Sequence, residues 1–133
     1  MADAGFAAAV PIAGLLGIEI VAAEPEEVRG TLPWRADLCT SGGILHGGAL
    51  MAFADTLGGV CAFLHLPEGA GTATVESKTN FFRPVRDGVV IGVARPLHVG
   101  RSFIVVQTDV ADGEERRVAQ TTQTQAVITR RPE

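Results

Sequence analysis

Apolar and polar residues alternate along most of this chain, and one stretch departs from alternation to a helical period. Gly17 to Ala23 (GIEIVAA) alternates as a strand, and Val28 to Trp34 (VRGTLPW) reads as its hairpin partner, ending near Pro33. Residues 5–16 predict a short helix, irregular near Pro11. Between His46 and Leu64, the residues Ala49, Leu50, Phe53, Leu57, Val60, Cys61 and Leu64 follow i, i+3, i+4, i+7 spacing. The intervening positions are mostly small, and Asp55 is the one carboxylate among them. A helix apolar on nearly all sides is expected to be buried. Pro67, Gly69 and Gly71 stop it. From Thr72 onward the pattern is strand, over 72–82, 88–98, 102–111 and 116–129, with turns at Arg86-Asp87-Gly88, Val99-Gly100 and Asp112-Gly113. This order predicts an α+β fold, a meander of antiparallel strands with one long helix packed on the sheet face. The sheet's other face and its edges stay open, which predicts oligomerisation.

Length and composition narrow the classes. The 133 residues make one domain, and 47 % apolar with 20 % charged residues is a globular balance. Net charge is −4, with six Phe, one Trp and no Tyr, so neither a basic footprint nor a stacking surface for nucleic acid is present. The charge is uneven: residues 1–77 sum to −7, residues 78–101 to +4 and residues 102–133 to −1. The basic stretch (Lys78, Arg83, Arg86, Arg95, Arg101) reads either as solvated strand edges or as a site for phosphates. Cys39 and Cys61 lack metal-ligand spacing and read as reduced thiols of a cytoplasmic protein. The N-terminus carries Asp3 and Pro11 without a positive leader region, and no 18-residue apolar run is uncharged. Neither a secretory signal nor a membrane partner is expected.

Candidate chemistry lies at the start of the long helix. In Thr40-Ser41-Gly42-Gly43-Ile44-Leu45-His46-Gly47-Gly48, glycines let a ligand approach the backbone just where the first helical amides lack intrahelical partners. The dipole's positive end adds to them, giving a place where a carbonyl developing negative charge would be stabilised. Tight helix packing is the alternative reason for Gly47 and Gly48. Asp55 is either a buried carboxylate satisfied by backbone donors or a catalytic base or nucleophile. Gly47 and Asp55 are eight residues apart, about 12 Å along a helix, so one small reacting group cannot touch both in one chain. Two copies with antiparallel helices would bring them together. His65, near the helix C-terminus, reads as structural. The polar run Gln120 to Gln125 reads as lining a cavity or, preferably, as a solvent-facing sheet surface.

The segments LHGGALMAFADTLGG, VESKTNFFRPV and HVGRSF resemble the hotdog-fold acyl-CoA thioesterases, closest to the phenylacetate-degradation (PaaI-like) and 4-hydroxybenzoyl-CoA thioesterase branch. The resemblance covers about residues 15–129. It implies a single domain over 1–133, with 1–16 as an N-terminal helical segment and a curved antiparallel sheet wrapped around one central helix. It also implies a homodimer with a continuous sheet, paired again into a tetramer. The implied activity is hydrolysis of acyl-CoA without a metal or any cofactor, coenzyme A being part of the substrate. Carried over by position, the acid is Asp55 and the carbonyl-polarising amide is that of Gly47 or Gly48, with His46 opening the motif. Two positions depart from the pattern. Thr40 stands where members often have Asn or Gln, and Gly59 where some have Ser or Thr, leaving Thr56 or Ser41 to assist. Arg83, Arg101 and Ser102, with Lys78 or Arg86, would hold the coenzyme A phosphates, and the acyl group would run toward Phe53, Leu57 and Phe82. Two other classes compete. A non-catalytic acyl-CoA-binding module is favoured by Thr40. A dehydratase acting on enoyl-CoA or acyl carrier protein is disfavoured because no proline flanks His46.

Overall fold

The structure, a computed structural model, describes residues 9–129. A short helix α1 (Pro11–Leu16) has proline in its first turn and closes on Gly17. The part of the expected 5–16 helix before residue 9 lies outside the described residues. Strands β1 (Glu19–Glu24) and β2 (Glu27–Pro33) form a hairpin, followed by a 3₁₀ turn at Ala36–Leu38. The long helix α2 (Gly47–Phe63) comes next, then β3 (Gly71–Phe81), β4 (Val89–Val99), β5 (Phe103–Ala111) and β6 (Arg117–Ile128). Each boundary lies close to the one the pattern predicts.

The six strands form one antiparallel sheet in the order β1-β2-β4-β5-β6-β3. The expected meander holds for β4-β5-β6 alone. β3 pairs with β6 at the far edge instead of with β4. The cause is the connection at residues 82–88, which is no hairpin turn. Its Val85 is buried and accepts Leu45 N–H at 2.8 Å, and Gly88 C=O accepts Trp34 N–H at 2.8 Å. Pinned to the loop before α2 and to the end of β2, the chain crosses from one sheet edge to the middle.

Helix α2 lies across the concave face. Phe53 and Leu57 are fully buried, each stabilising by roughly 1.5–3 kcal/mol. The sheet makes room for them with Gly30 on β2 and Gly92 on β4, which are register partners. A Cβ on Gly30 would stand 2.6 Å from Leu57 Cδ2, and one on Gly92 2.5 Å from Leu57 Cδ1. The helix is nevertheless not buried all round, contrary to its composition. Met51, Asp55 and Phe63 are exposed, because a single sheet layer covers one side of it. No described helix is long and apolar enough to cross a membrane.

Candidate active site

Asp55, in the middle of α2, is exposed while its carboxylate reaches the sheet, so the expectation of a carboxylate deep in an apolar interior is corrected. It is held from the sheet. Thr74 Oγ1 donates to Asp55 Oδ1 at 2.7 Å, and Gln123 Nε2 donates to the same oxygen at 2.9 Å. Behind them, Gln125 Nε2 donates to Thr74 Oγ1 at 2.6 Å, and the Thr72 hydroxyl lies 3.0 Å from Gln125 Oε1. A β-bulge between Thr74 and Glu76 adjusts the β3 register here. Gln123 and Gln125 are 0 % and 1 % exposed. The preferred reading of the 120–125 run as a solvent face therefore fails for half of it. Thr121, Gln123 and Gln125 face α2, while Gln120, Thr122 and Thr124 face outward.

Asp55 stands on the wall of an apolar cleft of about 660 Å³ between α2, β3 and the segment entering α1. Val10, Ile12, Ala52, Val60, Phe63 and Ala73 supply its apolar lining. Gly59 also lines it, and a Cβ there would meet nothing within 4 Å. Thr56 reaches the cleft too, but its hydroxyl donates to Ala52 C=O at 2.7 Å. Phe53 and Leu57 are core residues and not part of this wall.

The N-terminus of α2 is built by the preceding loop. Thr40 N–H donates to Ile44 C=O at 2.8 Å, closing a turn in which Gly42 and Gly43 take φ of +85° and +75°, the left-handed region that glycine occupies without strain. Trp34 Nε1 donates to Gly43 C=O at 3.0 Å, and His46 N–H to Leu38 C=O at 2.9 Å. His46 then caps the helix: its Nδ1 accepts Gly48 N–H at 2.7 Å, so the ring proton sits on Nε2. This decides between two glycines. The Gly48 amide is occupied, and a Cβ at Gly48 would strike the His46 ring at 2.9 Å. The Gly47 amide has no acceptor among the described residues and is the open donor. Thr40 and Ser41 are exposed on the loop and bring no side-chain hydrogen bond to Asp55. His46 and Asp55 open onto different clefts on either side of Ile12 and Ala52. Within one chain they do not converge.

The basic residues also separate. Arg83 and Arg86 line one surface hollow with Arg116, whose guanidinium is already paired with Asp112 and Glu114. Arg101 and Ser102 sit at the β4–β5 turn, at the other end of the nine-residue β5, about 26 Å away at 3.3 Å per residue. The expected grouping of Arg83, Arg101 and Ser102 on one nucleotide is therefore not met within a chain. Lys78 is exposed on the edge strand β3, and Phe82 is exposed just past its end. His65 contacts the Pro25 carbonyl, a structural tie. Among the described residues no group of three His, Cys, Asp or Glu side chains comes together to hold a metal.

Thr72 and Thr74 have no counterpart among the residues expected from the sequence, while Gln123 and Gln125 belong to the run for which lining a cavity is the less preferred expectation. Their signal was polar residues spaced by two on facing strands, hidden because the alternate positions of β6 are polar as well.

The chain is similar to known proteins in sequence and in fold. The family model of the thioesterase superfamily matches residues 42–119. A proofreading thioesterase, EntH, of Cronobacter turicensis is 33 % identical over 102 residues, 77 % of this chain and 74 % of that protein. The crystal structure of a Haemophilus influenzae thioesterase superposes with a TM-score of 0.85 at 33 % identity, covering 89 % of this chain and 82 % of that one. A mutant thioesterase from Pseudomonas aeruginosa superposes with a TM-score of 0.89 at 27 % identity, over 94 % and 92 % of the two chains.

Proposed function

The chain belongs to the thioesterase superfamily, and from that premise we propose that it hydrolyses acyl-CoA thioesters with Asp55 as the reacting carboxylate. The observation that carries this is an exposed carboxylate on the wall of a 660 Å³ apolar cleft, with one oxygen fixed by two donors. The acyl group occupies the cleft and its carbonyl carbon lies at Asp55. Asp55 takes a proton from water as the water oxygen bonds to that carbon, and returns it to the departing coenzyme A sulfur. Direct attack by Asp55, giving a mixed anhydride that water then opens, uses the same placement. In both routes the carbonyl oxygen gains charge and accepts a hydrogen bond from the Gly47 amide.

That amide comes from a second copy, since the two groups are separated along one helix by eight residues, about 12 Å. Support for a dimer lies in β3, an edge strand with one side unpaired and with Val75 and Phe81 exposed beside it. The same pairing lets arginines from opposite ends of two sheets address one nucleotide, so we assign phosphate binding jointly to Arg83 and Arg101. Two unpaired thiols, Cys39 and Cys61, suit a reducing cytoplasm. No metal or cofactor enters this scheme. Thiol release from a panel of acyl-CoAs is the test. Turnover with at least one of them, lost at least tenfold in kcat/KM in Asp55→Asn, is expected; wild-type turnover by Asp55→Asn refutes the assignment.

A further inference from the structure

We propose that Gln123 and Thr74 are positioning residues that act through Asp55, holding its Oδ1 so that Oδ2 is the oxygen that meets water and thioester. This rests on the reading of Asp55 as the reacting group.

A carboxylate on an exposed helix position has two equivalent oxygens and a soft terminal torsion. Here both protein donors converge on one of them. Thr74 Oγ1 is at 2.7 Å and Gln123 Nε2 at 2.9 Å from Oδ1. Oδ2 receives no donor among the described residues. The two donors come from adjacent strands, β3 and β6, on the sheet side of the helix, which fixes the carboxylate plane as well as its position.

The surrounding structure is arranged for this and not for stability. Gln123 is fully buried, yet its Oε1 has no hydrogen-bond partner. A buried amide with an unsatisfied acceptor is destabilising compared with an apolar side chain of the same shape. Its Nε2 contact with Asp55 is the one return on that arrangement. The helix makes way for the amide as well: a Cβ on Gly58 would fall 2.0 Å from Gln123 Oε1 and 2.3 Å from Cδ. Glycine within a helix lowers its stability relative to alanine, so α2 gives up helix propensity where Gln123 enters.

The next layer points the same way. A threonine hydroxyl has one proton. Because Gln125 Nε2 donates to Thr74 Oγ1 at 2.6 Å, the Thr74 proton is directed to Asp55. The Thr72 hydroxyl lies 3.0 Å from Gln125 Oε1 and 2.9 Å from Ala126 C=O, two acceptors for its one proton. The donors of Gln125 and Thr74 run in series toward the carboxylate.

The test is a cycle with three single variants, Gln123→Met, Thr74→Val and Asp55→Asn, and the two doubles that contain Asp55→Asn. Methionine fills the Gln123 volume without the donor or the orphan acceptor. Gln123→Met is expected to melt no lower than wild type while kcat falls at least tenfold and KM changes less than twofold. Thr74→Val should show the same split with a smaller loss. In the Asp55→Asn background neither change should alter the residual rate by more than twofold, because the group they act through is gone. Equal fold losses with and without the Asp55 carboxylate would overturn the proposal, as would wild-type kcat in both donor variants. If Gln123→Met fails to fold, Thr74→Val on the edge strand decides alone. Full activity in Asp55→Asn alone refutes the underlying reading before the cycle is read; an Asp55→Asn rate lowered at least tenfold, with additive further losses in the doubles, refutes only the positioning roles.

Discussion

Replacing Gly47 by proline exchanges its amide proton for a ring carbon, which makes it the sharpest perturbation of the proposed carbonyl site. Gly47 is the first residue of α2, the position where proline is best tolerated because its missing N–H has no intrahelical acceptor. Proline also needs an extended residue before it, and His46 already has φ −62° and ψ 135°. The obstacle is Phe81, whose Cζ would lie 3.1 Å from the new Cβ. Phe81 is 49 % exposed and can yield by the few tenths of an ångström required. Gly47→Ala places the same Cβ there and keeps the amide, so it is the steric control. Proline also reduces the freedom of the unfolded chain, worth about 0.4–1 kcal/mol. Stability should thus differ between the two variants by no more than about 1 kcal/mol. Activity should not be similar. Losing one donor to a developing oxyanion lowers kcat by roughly 10²–10³, about 2.7–4 kcal/mol. The assay is thiol release at saturating acyl-CoA, with urea melts on both variants. A Gly47→Pro rate within threefold of Gly47→Ala refutes the amide's role. Mixed one-to-one with Asp55→Asn after reversible dissociation, Gly47→Pro should recover about a quarter of wild-type activity. Random pairing makes half the dimers mixed, each with one site carrying both intact groups. Proven exchange without recovery means that each chain holds a whole site.

Adjacent glycines of α2 should respond oppositely to alanine: Gly59→Ala, with open space around the new Cβ, raises stability by about 1 kcal/mol, while Gly58→Ala drives into Gln123 and lowers it by about 1–3 kcal/mol. Equal urea midpoints for the two would contradict the packing described. Burial pushes the Cys61 thiol up from the usual 9.0 to about 11. The unfolded chain loses this proton first, so stability should fall as pH rises from 9 to 11 and should fall less in Cys61→Ala. The chain has no Tyr, and Cys39 and Lys78 are its other thiol and its lone lysine, so the difference between wild type and Cys61→Ala is the quantity to read. Arg83→Ala and Arg101→Ala should each raise KM for acyl-CoA with little change in kcat, and the effect should vanish with a pantetheine thioester that lacks the nucleotide. Equal losses on both substrates would assign these arginines to the fold.

Much of this was legible in the residues, for reasons that also explain what was not. The period of Ala49, Leu50, Phe53, Leu57 and Cys61 is local information, and α2 ends within a residue of its forecast. The strands follow from alternation bounded by Gly and Asp turns. Strand order is non-local, and nothing in Phe82 to Gly88 announces that Val85 will be gripped by Leu45 and carry β4 away from β3. Asp55 was found because a lone carboxylate in an apolar helix demands a reason. Its partners were not, because Gln120 to Gln125 is polar at both parities and period two cannot say which set faces the helix. The choice between Gly47 and Gly48 needed the His46 ring in place, a contact two residues long that spacing alone does not reveal.

β3 is a late partner in this architecture. The β1–β2 and β4-β5-β6 pairings join neighbours in sequence, whereas Gly71 on β3 pairs with Ile128 on β6 across 57 residues and Val28 on β2 with Ala94 on β4 across 66. Closing such long loops costs chain entropy before their contacts are gained, so we expect the β4-β5-β6 meander to fold first and β3 to dock on it afterwards. Until then β6 is an open edge on the newly formed sheet, the kind of surface that recruits other chains into aggregates. The polar side chains of β6 from Gln120 to Gln125, among them the Gln123 amide that donates to Asp55 in the folded chain, keep that edge wet during the wait. We expect the polarity of β6 to protect the nascent chain, and pulsed hydrogen exchange that protects β3 amides no later than β5 amides would contradict this order.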